Sequence, residues 1–217
     1  MNIAQEDVPL HAMLLGLLVS LFLFQALADL GWLPGWAPAS VTLAVMFSGF
    51  LSLTHRNPLR RPLVLCLLAA AVLLPLQNAS PRQFDVAMGL AAMSGLGLVG
   101  FALLRRVLAP GRVSVARIEG AVALYLVIAL VFATAYETLD GVAPGAFTQP
   151  SVAGDVGRFR YFSLVVQTST GFGDIAPAIP LARTMVTLQA VMGQLFLAIL
   201  LGRLVSLELE DRKRGDS

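Results

Sequence analysis

The sequence predicts an all-α membrane protein with six transmembrane helices and one shorter inserted helix between the fifth and the sixth. Three observations predict this fold. Hydrophobic residues make up 57% of the 217 residues and charged residues only 13%, which is typical of a membrane protein rather than a globular one. Several apolar runs approach or exceed the roughly 20 residues that a helix needs to cross a bilayer. Between the last two runs lies a stretch with no helical pattern, "QTSTGFGDIAP".

The apolar runs are separated by gaps that contain proline and glycine, such as Pro34-Gly35 and Pro110-Gly111, and these residues favour turns. The second and third runs are short. We divide the chain into a four-helix transmembrane domain, residues 1–110, and a two-helix domain, residues 111–217. The six crossings are expected at Leu10–Leu30, Ala39–Thr54, Pro62–Gln77, Phe84–Leu108, Ala116–Leu139 and Pro180–Leu207.

The first run could be mistaken for a cleaved signal peptide. The residues before it include Glu6 and Asp7 but no Lys or Arg, whereas a secretory signal begins with positive charge. We therefore expect the first run to remain as a membrane helix.

The basic residues predict the orientation of the helices. Eleven lie in or beside the gaps after the second and fourth runs and in or beside the tail, and four lie in or beside the alternate gaps. The positive-inside rule then places both termini in the cytoplasm, in agreement with an even number of crossings. A multi-pass protein of a plasma membrane, such as a bacterial inner membrane, is the expected location.

The gap between the fifth and sixth runs is long and is predicted to face outward. After a loop rich in Gly and Pro comes "VGRFRYFSLVVQTST", which is too short to span a bilayer and fits a re-entrant helix. Non-helical backbone is tolerated at membrane depth only where protein buries it or where it lines a water-filled path. Gly171 and Gly173 can adopt dihedral angles closed to other residues, so that successive carbonyls can turn toward one axis and replace the hydration shell of a cation.

The motif "TSTGFGD" resembles the selectivity-filter signature of the potassium channel family, T-x-G-Y-G-D. Ser169 stands where the signature usually has Thr, and Phe172 replaces the usual Tyr. The resemblance implies a re-entrant pore helix followed by a filter loop, with K⁺ as the permeant ion and no organic cofactor. The ion ligands that it implies are Thr168, Ser169, Thr170, Gly171, Phe172 and Gly173.

The resemblance extends over about Ala116–Leu209. It implies that Glu137 braces the outer loop of the filter, and that Asp174 packs behind the filter or attracts cations at the outer mouth. Gly193 lies twenty-two residues after Gly171, near the spacing at which many relatives carry a hinge glycine. The inner cavity and gate are expected to be formed by Gly193, Gln194, Leu197, Leu201, Gly202 and Val205.

The fourth run lacks the pattern of a voltage sensor. A sensor helix carries Arg at every third position, whereas this run has no basic residue before Arg105 and Arg106 at its inner end. Its glycines, Gly95, Gly97 and Gly100, suit close helix packing. We therefore expect a six-helix subunit that does not answer to voltage through a charged helix.

These patterns predict a potassium-selective channel that conducts K⁺ passively. Because one chain holds one filter strand, the pore requires a homotetramer within the lipid bilayer. A weakly selective cation channel and a subunit of a potassium transport system are the alternatives. No group of His, Cys and carboxylates has catalytic spacing, which argues against an enzyme. The arginines fit membrane-orienting loops better than a nucleic-acid site, and the sequence identifies no regulatory ligand.

Overall fold

The computed structural model describes residues 16–24, 27, 30, 32, 37–52, 58–73, 81–109, 115–148 and 157–215. The described part is mostly helical, as the composition predicts. Its elements are a π-helical segment Val19–Phe24, the helices α1 (Ala37–Ser52), α2 (Arg60–Leu73), α3 (Pro81–Leu108), α4 (Val115–Val142), α5 (Arg158–Gln167) and α6 (Pro180–Gly215), and the strands β1 (Phe147–Thr148) and β2 (Ala176–Pro177).

Three described helices are long and apolar enough to cross a membrane. They are Val86–Leu108 of α3, all of α4, and Pro180–Leu200 of α6, with 23, 28 and 21 residues. At 1.5 Å per residue each exceeds the hydrocarbon thickness of about 30 Å. The helices α1 and α2, with 16 and 14 residues, are shorter than a usual crossing. Much of the first predicted crossing lies outside the described residues, so six crossings stay a prediction.

Glycines let α3 pack closely against its neighbours. A methyl group at Gly89 would collide with Oγ1 of Thr138 on α4, and one at Gly95 would collide with the end of Met46 on α1. The prediction of a small-residue packing face therefore holds at Gly95. It does not hold at Gly97, where an added methyl group would meet nothing within 4 Å in this chain.

One apolar core joins the C-terminal half of α3 to the middle of α4. Leu96 and Val99 of α3 are buried with Leu124 and Val127 of α4. Helix α3, which corresponds to the fourth predicted crossing, is thus packed directly on α4. Side chains from α1 and α2, such as Met46 and Leu63, complete the same core.

The short helix α5 is anchored by aromatic side chains. Phe159 and Phe162 of α5 pack around Tyr136 of α4, and Phe147 of β1 completes the cluster. The ring of Phe147 meets the rings of Tyr136 and Phe159 edge-on, with centroids 5.3 and 5.0 Å apart. Such geometry is favoured between aromatic rings, and it fixes the side of α4 on which α5 lies.

Two short antiparallel strands hold the loops on either side of α5 together. Phe147 pairs with Pro177 and Thr148 pairs with Ala176. The N–H of Ala178 donates to the carbonyl of Ala146 at 2.8 Å. The chain that leaves α5 is therefore tied to the chain that leaves α4 before α6 begins.

Candidate functional site

The helix α5 ends in a left-handed turn that starts the irregular segment, residues 168–175. The N–H of Ser169 donates to the carbonyl of Val166 at 3.0 Å, and the N–H of Thr170 donates to the carbonyl of Val165 at 2.9 Å. This pair of bonds is the Schellman pattern, which usually has glycine at the left-handed position. Here Ser169 occupies that position with φ of 57°, so a residue with a side chain holds a strained backbone conformation.

Two glycines continue the irregular segment with left-handed backbone. Gly171 has φ of 61° and Gly173 has φ of 80°, a region that residues with a Cβ disfavour. A methyl group at either position would meet nothing within 4 Å in one chain. Backbone conformation, rather than lack of space, therefore accounts for glycine at both positions.

The irregular segment presents its residues outward from the single chain. All seven residues from 168 to 174 are exposed, and the side chain of Phe172 is 68% exposed. The ring of Phe172 lies parallel to that of Tyr161 on α5, with centroids 6.4 Å apart and 3° between planes. The pKa of the Tyr161 hydroxyl is raised by desolvation and by its hydrogen bond and charge interaction with the Asp174 carboxylate. Tyr161 thus contacts two residues of the segment.

Behind the irregular segment lies a set of buried and partly buried polar side chains that we call the amide network. Gln189 of α6 is fully buried, and its Nε2 donates to Ser163 Oγ at 2.6 Å and to Gln167 Oε1 at 3.0 Å. Tyr136 donates to Oε1 of Gln189 at 2.6 Å. The members of the network are Tyr125, Tyr136, Ser163, Gln167 and Gln189.

The amide network ties α5 to both long helices. Ser163 Oγ donates to the carbonyl of Ala129 at 2.7 Å, and Gln167 Nε2 donates to the carbonyl of Tyr125 at 2.6 Å. Tyr125 in turn donates from its hydroxyl to the carbonyl of Gln167 at 3.1 Å. Because unsatisfied polar groups are costly in apolar surroundings, these bonds fix the position of α5. These residues were not predicted from the sequence. The signal for them is a polar side chain within an apolar run, because such a side chain usually faces the interior of a helix bundle.

Gly193 lies where α6 meets the end of α5. A methyl group there would collide with the backbone carbonyl oxygen of Gln167. Gly193 was expected to act as a hinge. The structure adds a packing reason for glycine at this position, because no other residue allows so close an approach.

Gln194 contacts the irregular segment directly. Its Nε2 donates to Oγ of Ser169 at 2.6 Å, so a residue expected in the inner cavity meets one of the expected ion ligands. Leu197 is 39% exposed on the same helix and Gly202 is exposed. The side chains of Leu201 and Val205 lie outside the described part of the chain.

Charged residues gather at the other end of α5. The carboxylate of Glu137 interacts with the guanidinium groups of Arg160 and Arg158, and Arg160 is only 6% exposed. Arg158 also forms an ion pair with Asp140 at 2.6 Å. Glu137, expected to brace the outer loop, therefore interacts with the first turn of α5.

The geometry offers oxygen atoms rather than a reactive centre. Hydroxyl and carbonyl groups of an exposed, glycine-bearing backbone are hard ligands suited to cations such as K⁺. Among the described residues no group of three or more His, Cys, Asp or Glu side chains could hold a metal ion.

Part of the chain, including the irregular segment, is similar in sequence to known proteins. Residues 124–209 match the family model described as "Ion channel". The inward rectifier potassium channel Kirbac3.1 of Paramagnetospirillum magnetotacticum is 36% identical over 80 residues, which are 35% of this chain and 24% of that protein. The chain thus spans about a quarter of the length of this relative. No solved structure gives a significant match.

The matched region holds most of α4, all of α5, the irregular segment and most of α6. It contains both the glycine-bearing backbone and the amide network that supports it. Residues 124–209 are therefore similar to an ion channel domain, and three described helices are long and apolar enough to cross a membrane.

Proposed function

We propose that the chain forms a potassium-selective channel, through which K⁺ moves passively down its gradient. The observation that carries the proposal is the irregular segment. It presents exposed residues 168–174 with left-handed backbone at Gly171 and Gly173, directly after a helix held by buried hydrogen bonds. This arrangement can hold carbonyl oxygens in fixed positions for a dehydrated monovalent cation.

The same exposure supports a homotetramer. Irregular backbone at membrane depth needs protein around it or water beside it, and a single chain leaves residues 168–174 uncovered. Four copies around one axis would supply both conditions. Apolar side chains of α6 are also uncovered in one chain, with Leu188 and Leu195 each 54% exposed and Ile199 62% exposed, and neighbouring subunits would cover part of this face.

Electrostatics favour cations in such a pore. The C-terminal end of a helix carries partial negative charge, and α5 ends at Gln167, immediately before the irregular segment. Asp174 adds a carboxylate at the opposite end of the filter. Selection of K⁺ in particular is supported by the filter signature and by the similarity to an inward rectifier potassium channel.

Helix α3, which corresponds to the fourth predicted crossing, lacks the charges of a conventional voltage sensor. Basic residues in α3 after its first turn occur only at Arg105 and Arg106, in the last turn. Close packing at Gly89 against Thr138 of α4 also restricts sliding of α3 past α4. The arginine distribution supports a multi-pass protein of the plasma membrane, in bacteria the inner membrane, with both termini in the cytoplasm.

Flux from liposomes that hold purified protein tests the proposal. A K⁺ gradient should drive flux that Na⁺ does not replace and that Ba²⁺ blocks, without any energy source. Comparable Na⁺ and K⁺ flux would favour a weakly selective cation channel. Flux that requires a second protein would favour a subunit of a transport system.

Native mass spectrometry of the purified protein should give the mass of four subunits, and a monomer would contradict the tetrameric pore.

A further inference from the structure

We propose that Gln194 is a positioning residue for the innermost ion site, which it acts on through the hydroxyl of Ser169. The inference rests on the proposed function, because it assigns Ser169 to the end of the filter nearest the cavity. The direct observation is the hydrogen bond of 2.6 Å from Gln194 Nε2 to Ser169 Oγ, across 25 positions of sequence.

The packing of α6 brings Gln194 within reach of the filter. Its neighbour Gly193 lies so close to the carbonyl of Gln167 that no side chain fits between them. One residue further along α6, the long Gln194 side chain extends to Ser169, two residues beyond Gln167. The amide network holds the same two helices together through Gln189 and Gln167, whose side chains bond at 3.0 Å. The Gln194–Ser169 bond therefore joins two segments, α6 and the end of α5, whose relative position the amide network already fixes.

The chemistry of Ser169 explains why such a restraint matters. Threonine, the usual residue of the signature, is branched at Cβ and therefore stiff at χ1. Serine has no such branch, so its hydroxyl can rotate among three staggered positions. A hydroxyl has one proton and two lone pairs. When Gln194 donates to one lone pair, the oxygen is held in one rotamer and its second lone pair keeps a defined direction.

The backbone of Ser169 gives a second reason for the serine–glutamine pair. Its φ of 57° is uncommon for any residue with a side chain and is an outlier for a β-branched one. Serine tolerates this turn better than threonine does. The hydrogen bond from Gln194 then restrains the hydroxyl, which the backbone conformation leaves free to rotate.

In a tetramer, four Gln194 amides would form a ring just inside the filter. Each amide would hold one Ser169 hydroxyl toward the axis, where an ion that enters from the cavity first loses its hydration water. Without the amide donor, the four hydroxyls would rotate independently. The innermost site would then bind a dehydrated ion more weakly, while the carbonyl sites further along the filter would remain.

Barium block measures the innermost site. Ba²⁺ is close to K⁺ in size but doubly charged, so it binds strongly to oxygen sites that fit K⁺. Channels would be recorded in planar bilayers with Ba²⁺ on each side in turn, for wild type, Gln194→Met, Ser169→Ala and the double variant. Methionine keeps the length of the side chain and removes the donor. Thr184→Val is the control, because the exposed Thr184 hydroxyl bonds only to the nearby carbonyl of Pro180 among the described contacts.

We expect Gln194→Met to raise the Ba²⁺ concentration for half block from the cavity side by about 3- to 10-fold, the range of one hydrogen bond. Ser169→Ala should raise it at least as much, and the double variant should add nothing to Ser169→Ala, because the two residues act through one bond. Thr184→Val should match wild type. Independent effects that multiply in the double variant, or unchanged block in Gln194→Met, would overturn the inference.

The same recordings separate this inference from the proposed function. A wild-type protein without K⁺-selective current would refute the proposed channel. A K⁺-selective wild type whose Ba²⁺ block is insensitive to Gln194→Met would refute only the role of Gln194. Should Gln194→Met fail to assemble by gel filtration, Gln194→Leu replaces it, since leucine is uncharged, similar in size and cannot donate. The expected weakening of block is the same, and its absence counts against the inference equally.

Discussion

The hydroxyl of Tyr136 on α4 donates a 2.6 Å hydrogen bond to Oε1 of Gln189 on α6, and both side chains are fully buried. Gln189 also donates hydrogen bonds to Ser163 and Gln167 of α5. One bond therefore joins the two long helices behind the irregular segment, and the carboxamide of Gln189 is the point at which all three helices meet.

Tyr136→Phe should destabilise the protein. The substitution keeps the ring in the aromatic cluster with Phe147 and Phe162 but leaves Oε1 of Gln189 without this donor. Loss of a partner for a buried polar group costs about 1–3 kcal/mol. Thermal unfolding of the purified protein in detergent measures the change, with Thr184→Val as the control for loss of an exposed hydroxyl. Equal unfolding temperatures for Tyr136→Phe and the control would contradict the role of this bond.

The helices α4, α5 and α6 and the irregular segment were predictable from sequence because each depends on local pattern. Apolar runs predict the helices, and Gly171 and Gly173 predict the left-handed backbone that the structure shows. Helix ends were predicted to within a few residues for α4, expected at Ala116–Leu139 and observed at Val115–Val142. The irregular segment begins where α5 ends, as its lack of helical pattern indicates.

The hydrogen bonds that support the irregular segment were not predictable in the same way. Gln167 and Gln189 are polar residues within apolar surroundings, and sequence shows that they need partners but not which ones. Their bond at 3.0 Å depends on how α5 and α6 cross. The packing role of Gly193 has the same origin, since only the crossing point places it against the Gln167 carbonyl. Long-range contacts of this kind depend on how the helices pack against each other, and the local sequence pattern does not specify that packing.

Gly193→Ala should push α6 away from α5. The added methyl group would meet the backbone carbonyl of Gln167, which cannot move without disturbing the end of α5. Overpacking of this kind typically costs about 1–3 kcal/mol. Gly202→Ala is the matched control on the same helix, because a methyl group there meets nothing within 4 Å, and Ala is the better helix former by about 1 kcal/mol.

Thermal unfolding and K⁺ flux would be measured for both glycine variants of α6. We expect Gly193→Ala to lower the unfolding temperature and reduce flux, and Gly202→Ala to unfold at or above the wild-type temperature. A Gly193→Ala protein as stable as Gly202→Ala and as active as wild type would show that the close approach to Gln167 is dispensable.

Gly89→Ala should loosen the seam between α3 and α4. The methyl group would collide with Oγ1 of Thr138, at a cost of about 1–3 kcal/mol. The second substitution Thr138→Ala removes Oγ1, the nearest obstructing atom, together with Cγ2, so the double variant should recover most of the lost stability. Gly97→Ala, with open space around it, serves as the control on α3. Urea or thermal unfolding in detergent reports the order of stabilities, and failure of Thr138→Ala to rescue Gly89→Ala would place the strain elsewhere.

Gly171→Ala should abolish K⁺-selective flux although space for the methyl group is available. The backbone at Gly171 has φ of 61°, which disfavours an L-residue by about 1–2 kcal/mol, and each subunit of a tetramer would carry this penalty in the same ring. The filter backbone should therefore relax and its carbonyls should lose their common direction. Gly141→Ala, in helical backbone with open space around it, should leave flux intact. Wild-type flux and selectivity in Gly171→Ala liposomes would refute the assignment of this glycine to the conducting backbone.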